Sequence, residues 1–397
     1  MSPGHATQDT PDKGSSADSG PVRSRCSRLT RAGTIRAAAA AIWRALVDPD
    51  AGGGESRRAN RSLARLSGIG IVLVVLGHSE GVSVEQVTQI ASQDRWYAAF
   101  LGGIRWIYTF HMPLFFFISG WLFHYTNRDR DIRYGAFVKA KFLRLIVPYL
   151  AFSTLAFPVK VILARFASRP VSLSLQDFVH QIIFPWHNTI IFFWYLPTLF
   201  LIFLAAPFLL RKRMGAVHAA LLLLAGIALY VQFDNRNLSG SWAFLNVAGA
   251  LHNFIFFASG SITDRFALSA RVRRCGAFCL PLSVLGFTFC SRDWRLCNLL
   301  LALAGVAMCW WLSHQFRSEW LARVGDYSYQ IYLFSWFPQR FCRILFGQIL
   351  QVNVFVAVFA MAVTGLVVPV IATGILSLVT PVRLRFLYGG SVRKGES

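Results

Sequence analysis

Residues 110–123 read FHMPLFFFISGWLF, a stretch whose only ionisable side chain is one histidine. It lies inside a longer apolar segment, Ala98–Tyr125, and about 20 apolar residues are enough for a helix to cross the hydrocarbon core of a membrane. The whole chain of 397 residues is 55% hydrophobic and 15% charged, whereas soluble domains carry about 25% charged residues. This composition excludes a disordered chain, a coiled coil and a disulfide scaffold, and it predicts an all-α polytopic membrane protein.

Segments of this kind recur along the chain, which predicts about ten transmembrane helices. The ten segments are Leu63–Ser79, Ala98–Tyr125, Leu145–Arg165, Ile190–Leu210, Val217–Gln232, Ala243–Ile262, Cys275–Cys290, Leu296–Leu312, Ser328–Leu345 and Val354–Val379. Residues 61–380 then form the membrane domain. Residues 1–60 are expected to be a basic, largely disordered cytoplasmic tail, and residues 381–397 a second basic cytoplasmic tail.

The basic residues alternate with the apolar segments. The net charge is +22, and 30 of the 40 Lys and Arg residues fall on one side if the N-terminus is cytoplasmic and every segment crosses. Positive charge collects in cytoplasmic loops, so this pattern supports ten spans with both termini inside. It also explains the basic excess without a nucleic-acid partner.

The cysteines and carboxylates disfavour two classes of function, a zinc-stabilised protein and an ion-coupled transporter. The seven cysteines are scattered without a CxxC pair, which disfavours a structural zinc site. Cys290 and Cys297 flank a short loop and are able to form a disulfide on an oxidising side, but free buried thiols are the expectation. The spans hold almost no Asp or Glu, which counts against a transporter coupled to protons or sodium.

Two histidines stand in the most apolar surroundings. His78 ends the first segment, and His111 lies near the middle of the second, so antiparallel helices bring them to similar depth. A neutral imidazole can take a proton from a hydroxyl, as a general base does. The equally weighted alternative is that both histidines only hydrogen-bond neighbouring helices. Two histidines without a third ligand predict no metal site.

A basic strip precedes the third segment. Lys139, Lys141 and Arg144 cluster at the predicted cytoplasmic face, where they suit the phosphates of a nucleotide-bearing ligand. The commoner role of such a strip is a topology signal or a contact with lipid headgroups. Trp96, Trp106, Trp186 and Trp242 suit stacking on a sugar, although an interfacial aromatic belt is the favoured interpretation.

The chain resembles the membrane-bound acyltransferase-3 family, in particular its sugar and exopolysaccharide O-acetylase branch. The resemblance covers most of residues 61–380. It is carried by VVLGHS at 74–79, FHMPLFFFISGWLF at 110–123, KFLRLIVPYL at 141–150, FWYLPTLFLIFL at 193–204 and VGDYSYQIYLF at 324–334.

The resemblance implies an activity and a set of site residues. The family moves an acyl group, commonly acetyl from acetyl-CoA, to a hydroxyl at the outer face. Its motif histidines match His78, as the proposed base, and His111. Its basic block matches Lys141 and Arg144, which would bind the acyl-CoA.

Two positions depart from the family pattern. The pattern has Arg or Lys eleven residues before the motif histidine and an acid three residues earlier, where this chain has Ser67 and Ala64. Arg65 is nearby and is a candidate substitute for binding the donor, although its helical phase differs. The late "IYLLH" pattern ends here in Ser335. These departures indicate either a changed donor site or reduced activity.

The sequence therefore predicts an integral O-acyltransferase of the bacterial inner membrane. It would transfer acetyl from acetyl-CoA to a glycan hydroxyl, with the lipid bilayer around it. The alternatives are a transporter for a glycan or lipid-linked sugar, and a catalytically inactive family member that acts as a partner. The sequence does not identify the acceptor.

Overall fold

A computed structural model of the chain describes residues 55–81, 84–129, 131–163, 174–210, 214–236, 240–290, 293–381, 384, 387 and 388. Within these residues the secondary structure is helical, without a strand, which confirms the predicted all-α class. The predicted tails at 1–60 and 381–397 lie almost entirely outside the described residues, so both stay predictions.

The helices follow one another with short connections. They are α1 (Glu55–Gly77), α2 (Val84–Gln93), α3 (Arg95–Tyr108), α4 (His111–Asn127), α5 (Tyr134–Lys141), α6 (Val147–Ile162), α7 (Leu175–Ile183), α8 (Tyr195–Leu209), α9 (Ala216–Gln232), α10 (Val247–Arg265), α11 (Ser269–Phe289), α12 (Arg295–Gln315), α13 (Glu319–Asp326), α14 (Ser328–Phe334), α15 (Trp336–Cys342) and α16 (Val354–Val379). A π-helical turn, Phe142–Ile146, joins α5 to α6, and a second one, Arg343–Ile349, extends α15.

Seven helical stretches among the described residues are long and apolar enough to cross a membrane. They are Arg95–Asn127, Tyr134–Ile162, Ile191–Leu209, Ser241–Arg265, Ser269–Phe289, Arg295–Gln315 and Val354–Val379. The other three predicted segments correspond to α1, to the shorter apolar helix Ala216–Gln232, and to the run formed by α14, α15 and the second π turn. The chain is thus a multi-pass membrane protein, and the count of ten stays a prediction.

The sequence suggests one helix for the second predicted segment, but the structure breaks this helix between Tyr108 and His111. Phe110 has non-helical angles (φ −134°, ψ −15°), so α3 ends at Tyr108 and α4 begins at His111. Pro113 favours this break, because proline lacks an N–H and its ring clashes with the carbonyl four residues earlier. The expectation that His111 lies near mid-helix is therefore wrong, since His111 is the first residue of α4.

Glycines let the central helices approach closely. A Cβ on Gly120 of α4 would lie 1.8 Å from the carbonyl oxygen of Phe257 in α10. A Cβ on Gly325 of α13 would lie 1.7 Å from the carbonyl oxygen of Ala64 in α1. Small residues at crossings allow backbone contact between membrane helices, so these two positions fix α4 and α1 in the bundle.

The structure joins Cys290 at the end of α11 to Cys297 at the start of α12 by a disulfide. The expectation of free thiols at these positions is wrong, because the short connection between the two helices brings both sulfurs together. Disulfides persist in oxidising compartments, so the bond also bears on which end of the bundle faces outward.

The disulfide predicts selective protection from alkylation. Denatured protein treated with iodoacetamide should be modified at Cys275 and Cys309, which are free in the structure, but not at Cys290 or Cys297. Reduction before alkylation should expose both. Peptide mass spectrometry checks this, and modification of Cys290 and Cys297 without a reductant would contradict the pairing.

Candidate active site

A cavity of about 710 Å³ opens where α1 ends, and we call it the histidine cavity. His78, Tyr108 and His111 line it together with aromatic and amide side chains from α9, α10 and α12. The cavity therefore brings the two sequence-predicted histidines to one space. It exceeds the lower limit of about 300 Å³ that is usual for small-molecule sites.

The end of α1 is buried, so its last carbonyl groups need partners within the protein. The Gln339 Nε2 donates to the Val75 carbonyl oxygen at 2.9 Å and to Ser79 Oγ at 3.0 Å. Ser79 Oγ itself donates to the Val75 carbonyl oxygen at 2.7 Å. These bonds fix the turn of α1 that carries the first histidine.

Tyr108 decides the tautomer of His78. Its hydroxyl lies 3.1 Å from the Gly77 carbonyl oxygen and 3.2 Å from His78 Nδ1. A carbonyl only accepts, so the hydroxyl donates to Gly77 and leaves its lone pair for the Nδ1–H of His78. In this assignment Nε2 of His78 carries no proton, which is the state a general base requires.

His111 does not contact His78. Its Nδ1 donates to the Ile107 carbonyl oxygen at 3.0 Å, which leaves Nε2 as the acceptor of the neutral ring. Tyr108 lies between the two histidines, with ring centroids 4.8 Å from His111 and 5.9 Å from His78, both in edge contacts. Tyr108, rather than His111, is thus the group that orients the His78 ring.

Arg343 is a site residue that sequence reasoning missed. Its Nη2 donates to the His78 carbonyl oxygen at 3.1 Å and lies 3.7 Å from the Glu80 carboxylate. Its buried Nε has no hydrogen-bond partner among the described residues. The available signal was spacing, because Ser335, Gln339 and Arg343 recur every four residues and so share one helix face.

Aromatic pairs form the wall opposite the histidines. Trp186 and Trp194 stack with ring centroids 4.8 Å apart, and Tyr230 stacks on His252 at 4.0 Å. Of the four tryptophans for which sugar stacking was the alternative to an aromatic belt, Trp186 lines this cavity, whereas Trp96 is 66% exposed on the surface. Stacked aromatic faces beside amide groups suit a polar ligand with apolar ring faces.

A second cavity of about 430 Å³, the basic cavity, contains Lys141 and Arg144. Ser67 of α1 lines it as well, with Tyr195 and Tyr329. The π-helical turn after Lys141 brings both basic residues to the same cavity. Lys141 Nζ lies 4.0 Å from the Phe203 ring centroid, so an aromatic face supports this cation.

Arg65 is not brought to the basic cavity. Its Nε donates to the Ser313 carbonyl oxygen of α12 at 2.8 Å, and its Nη2 donates to Ser62 Oγ at 3.0 Å. Each helical residue advances by about 100°, so Arg65 points away when Ser67 faces the cavity. The expected donor-binding role of Arg65 is therefore not supported by the geometry.

The two cavities meet at one side chain. Met112 lines both of them and is 8% exposed. Ser67 of α1 lines the basic cavity, and His78, directly after α1, lines the histidine cavity. The eleven residues of helix between them span about 16 Å. The histidine cavity reaches only the first turn of α4, whereas the basic cavity follows α4 as far as Thr126, so the two cavities lie toward opposite ends of this helix on either side of Met112. Among the described residues no group of three His, Cys, Asp or Glu side chains gathers as metal ligands.

Removing the Gln339 amide should destabilise the protein. Gln339→Leu leaves the buried Ser79 hydroxyl and the end of α1 with fewer partners, and losing a buried partner costs about 1–3 kcal/mol. Thermal unfolding in detergent should therefore begin at a lower temperature than for wild type. The matched control is Gln89→Leu on the exposed face of α2, and equal melting of the two variants would contradict the capping role.

Comparison with known proteins assigns the family. A family model for an acyltransferase domain matches residues 62–374, which is most of the chain and includes every residue named above from α1 to the second π turn. No curated protein and no solved structure shows a significant match. The chain therefore belongs to the acyltransferase-3 family of membrane acyltransferases.

Proposed function

We propose that the chain is an O-acetyltransferase of the bacterial inner membrane. It takes acetyl from cytoplasmic acetyl-CoA and transfers it to a hydroxyl of a cell-surface or exported glycan. One observation supports this proposal: the basic cavity and the histidine cavity lie toward opposite ends of α4 and both reach Met112, beside His111. This arrangement suits a donor and an acceptor that reach the same point from different sides.

The basic cavity suits the donor. Lys141 offers a point charge and Arg144 a planar fork, and both kinds of cation bind phosphate groups. Ser67 occupies the place where the family pattern has a basic residue, so these two cations take over the charge at that end. The thioester arm would extend from them along the cavity toward Met112.

Acetyl transfer follows from the tautomer of His78. Nε2 accepts the proton of the acceptor hydroxyl while the oxygen of that hydroxyl attacks the carbonyl carbon of the thioester. The carbon–sulfur bond then breaks, and the departing thiolate takes the proton from Nε2. The products are the acetyl ester and CoA with a free thiol, and His78 returns to its neutral state.

Neighbouring groups hold His78 in this state. The Nδ1–H donates to Tyr108, so ring rotation and tautomer exchange are both restrained. The Glu80 carboxylate lies 3.7 Å from Arg343 Nη2, so it partly offsets the positive charge that this arginine places near the His78 ring. His111 lines the same cavity with Nε2 as an acceptor and packs against Tyr108.

The histidine cavity suits a sugar. Trp186 and Tyr230 offer ring faces, while Asn235, Asn253 and Asn298 line the same space with amide groups. The Cys290–Cys297 disulfide lies at the end of α11 that the charge pattern predicts to face outward. An exported glycan would find an oxidising compartment on that side.

Replacing the base should abolish most of the transfer. For His78→Ala we expect a loss of about 10²–10⁴-fold, the usual contribution of general-base catalysis. Tyr108→Phe should lose about tenfold, because the hydroxyl that pairs with His78 Nδ1 and with the Gly77 carbonyl is removed. Mass spectrometry of surface glycan from producing cells, at matched membrane expression, measures both.

The matched control for these variants is His218→Ala, a histidine whose Nε2 pairs with the Leu209 carbonyl away from both cavities. Unchanged acetylation in His78→Ala would rule out this histidine as the base. The same assay separates the alternatives, because neither a transporter nor an inactive partner consumes acetyl-CoA.

A larger side chain at Met112, where the two cavities meet, should stop acetyl transfer while the basic cavity still binds the donor. Met112→Trp adds bulk where the cavities meet, so acetyl transfer should fall strongly while CoA binding to purified protein persists. Met112→Leu, which roughly conserves volume, should keep most activity. Full transfer by Met112→Trp would show that acetyl does not pass this residue.

A further inference from the structure

A third cavity opens on the side of the bundle, between α6 and the helical run that begins with α15. This lateral groove has a volume of about 340 Å³ and an almost wholly apolar lining, which includes Val159, Leu163, Phe337, Ile344 and Leu345. Phe341 and Ile349 at its edge are 64% and 56% exposed. The groove therefore opens at the surface that the surrounding lipid contacts.

A small cavity of about 90 Å³ lies between the groove and His78. Trp336 and Arg340 line both the groove and the small cavity. His78 and Arg343 line both the small cavity and the histidine cavity. The apolar groove thus adjoins the small cavity, and the small cavity adjoins the space around the proposed base.

The lining changes from apolar side chains in the groove to basic side chains nearer His78. The groove is apolar over most of its length, and its inner end carries Arg340 and then Arg343, about one helical turn apart. Arg343 keeps a buried Nε without a partner among the described residues, and one carboxylate, Glu80, is paired with it. Two arginines at the inner end of an apolar groove match a ligand that joins an apolar chain to an anionic group.

Phosphate fits this arrangement better than a carboxylate on a free fatty acid. A phosphate diester is anionic and also carries a second substituent, so it can link the apolar chain to a polar group that continues into the histidine cavity. The small cavity has room for a phosphate, while the sugar would occupy the larger space beside Trp186.

We propose that the lateral groove binds the apolar chain of a lipid-linked glycan, with the linking phosphate between Arg340 and Arg343 and the sugar beside His78. This inference rests on the proposed function and names its acceptor class: a glycan that is still attached to a membrane lipid through phosphate. The acceptor then enters from the bilayer rather than from the aqueous phase.

Binding of a defined lipid phosphate tests the groove directly. Full-length protein in nanodiscs of neutral lipid is titrated with radiolabelled dodecyl phosphate, and dodecyl maltoside serves as the uncharged probe. We expect wild type to bind the phosphate probe more tightly than the maltoside. Arg340→Gln and Arg343→Gln should each weaken phosphate binding by about tenfold or more, as expected for a lost charged hydrogen bond. Ile344→Trp fills the groove and should weaken both probes.

The control is Arg105→Gln, an exposed cation on α3 away from the groove, which should bind like wild type. Phosphate binding that survives both Arg340→Gln and Ile344→Trp would overturn the proposal. Equal competition by phosphatidylglycerol would also overturn it, because the groove would then hold ordinary membrane lipid.

A parallel transfer assay keeps this inference separate from the proposed function. Wild type and Ile344→Trp receive acetyl-CoA with a lipid-linked glycan or with the same glycan released from its lipid. A selective loss with the lipid-linked form supports the groove. Equal use of both forms by both proteins overturns the groove and leaves the acetyltransferase intact. Absence of any acetyl-CoA consumption, with arginine-dependent binding of the phosphate probe, would overturn the proposed function and leave the groove.

Discussion

The end of α1 inside the helix bundle is the feature on which the site depends. A helix that stops in apolar surroundings leaves carbonyl groups that water cannot reach, and each unpaired group is costly. Gln339, Tyr108 and Arg343 supply the donors here. Because these side chains come from α3 and from the run that begins with α15, capping the helix also assembles the walls around His78.

The position of α1 is set further along the same helix. The contact of Gly325 with the Ala64 carbonyl allows α13 to lie directly against α1, where a larger residue would push the two apart. Ser67 is thereby held in the basic cavity and His78 in the histidine cavity. A single rigid element then fixes the separation of the proposed donor and acceptor sites, which catalysis across a membrane requires.

Met112 keeps the two cavities separate although both of them reach the same point in the bundle. The two cavities lie on either side of Met112 and would form one continuous space if this side chain were absent. The buried thioether of Met112 separates them, and a flexible unbranched side chain can move aside at lower cost than a branched or aromatic one. The break at Phe110 places this residue and His111 at the start of α4 rather than within a straight span.

The sequence predicted the helical class, most of the long spans and the two histidines, because hydropathy and rare intramembrane polar residues are strong local signals. It did not predict the break before His111, because proline is tolerated in membrane helices and Pro113 therefore does not decide by itself whether the helix continues. Arg65 seemed a substitute for Ser67 by proximity in sequence, but helical phase turns it toward Ser313.

Other parts of the site depend on contacts between distant segments. Arg343 lies 265 residues after the carbonyl of His78 that it binds, and the Tyr108 hydroxyl reaches His78 across a helix break. Neither contact leaves a trace in local composition. The Cys290–Cys297 pairing differs, because the sequence places both cysteines beside one short loop but does not show that their sulfurs meet.

The central claim is that acetyl enters at the basic cavity and leaves at the histidine cavity. Sealed membrane vesicles of both orientations, prepared from producing cells and supplied with radiolabelled acetyl-CoA from outside, test it most directly. Transfer in this direction should give labelled glycan in inside-out vesicles only, enclosed in the lumen and protected from an added glycan-degrading enzyme. Equal labelling in right-side-out vesicles, or labelled glycan on the same face as the donor, would contradict it.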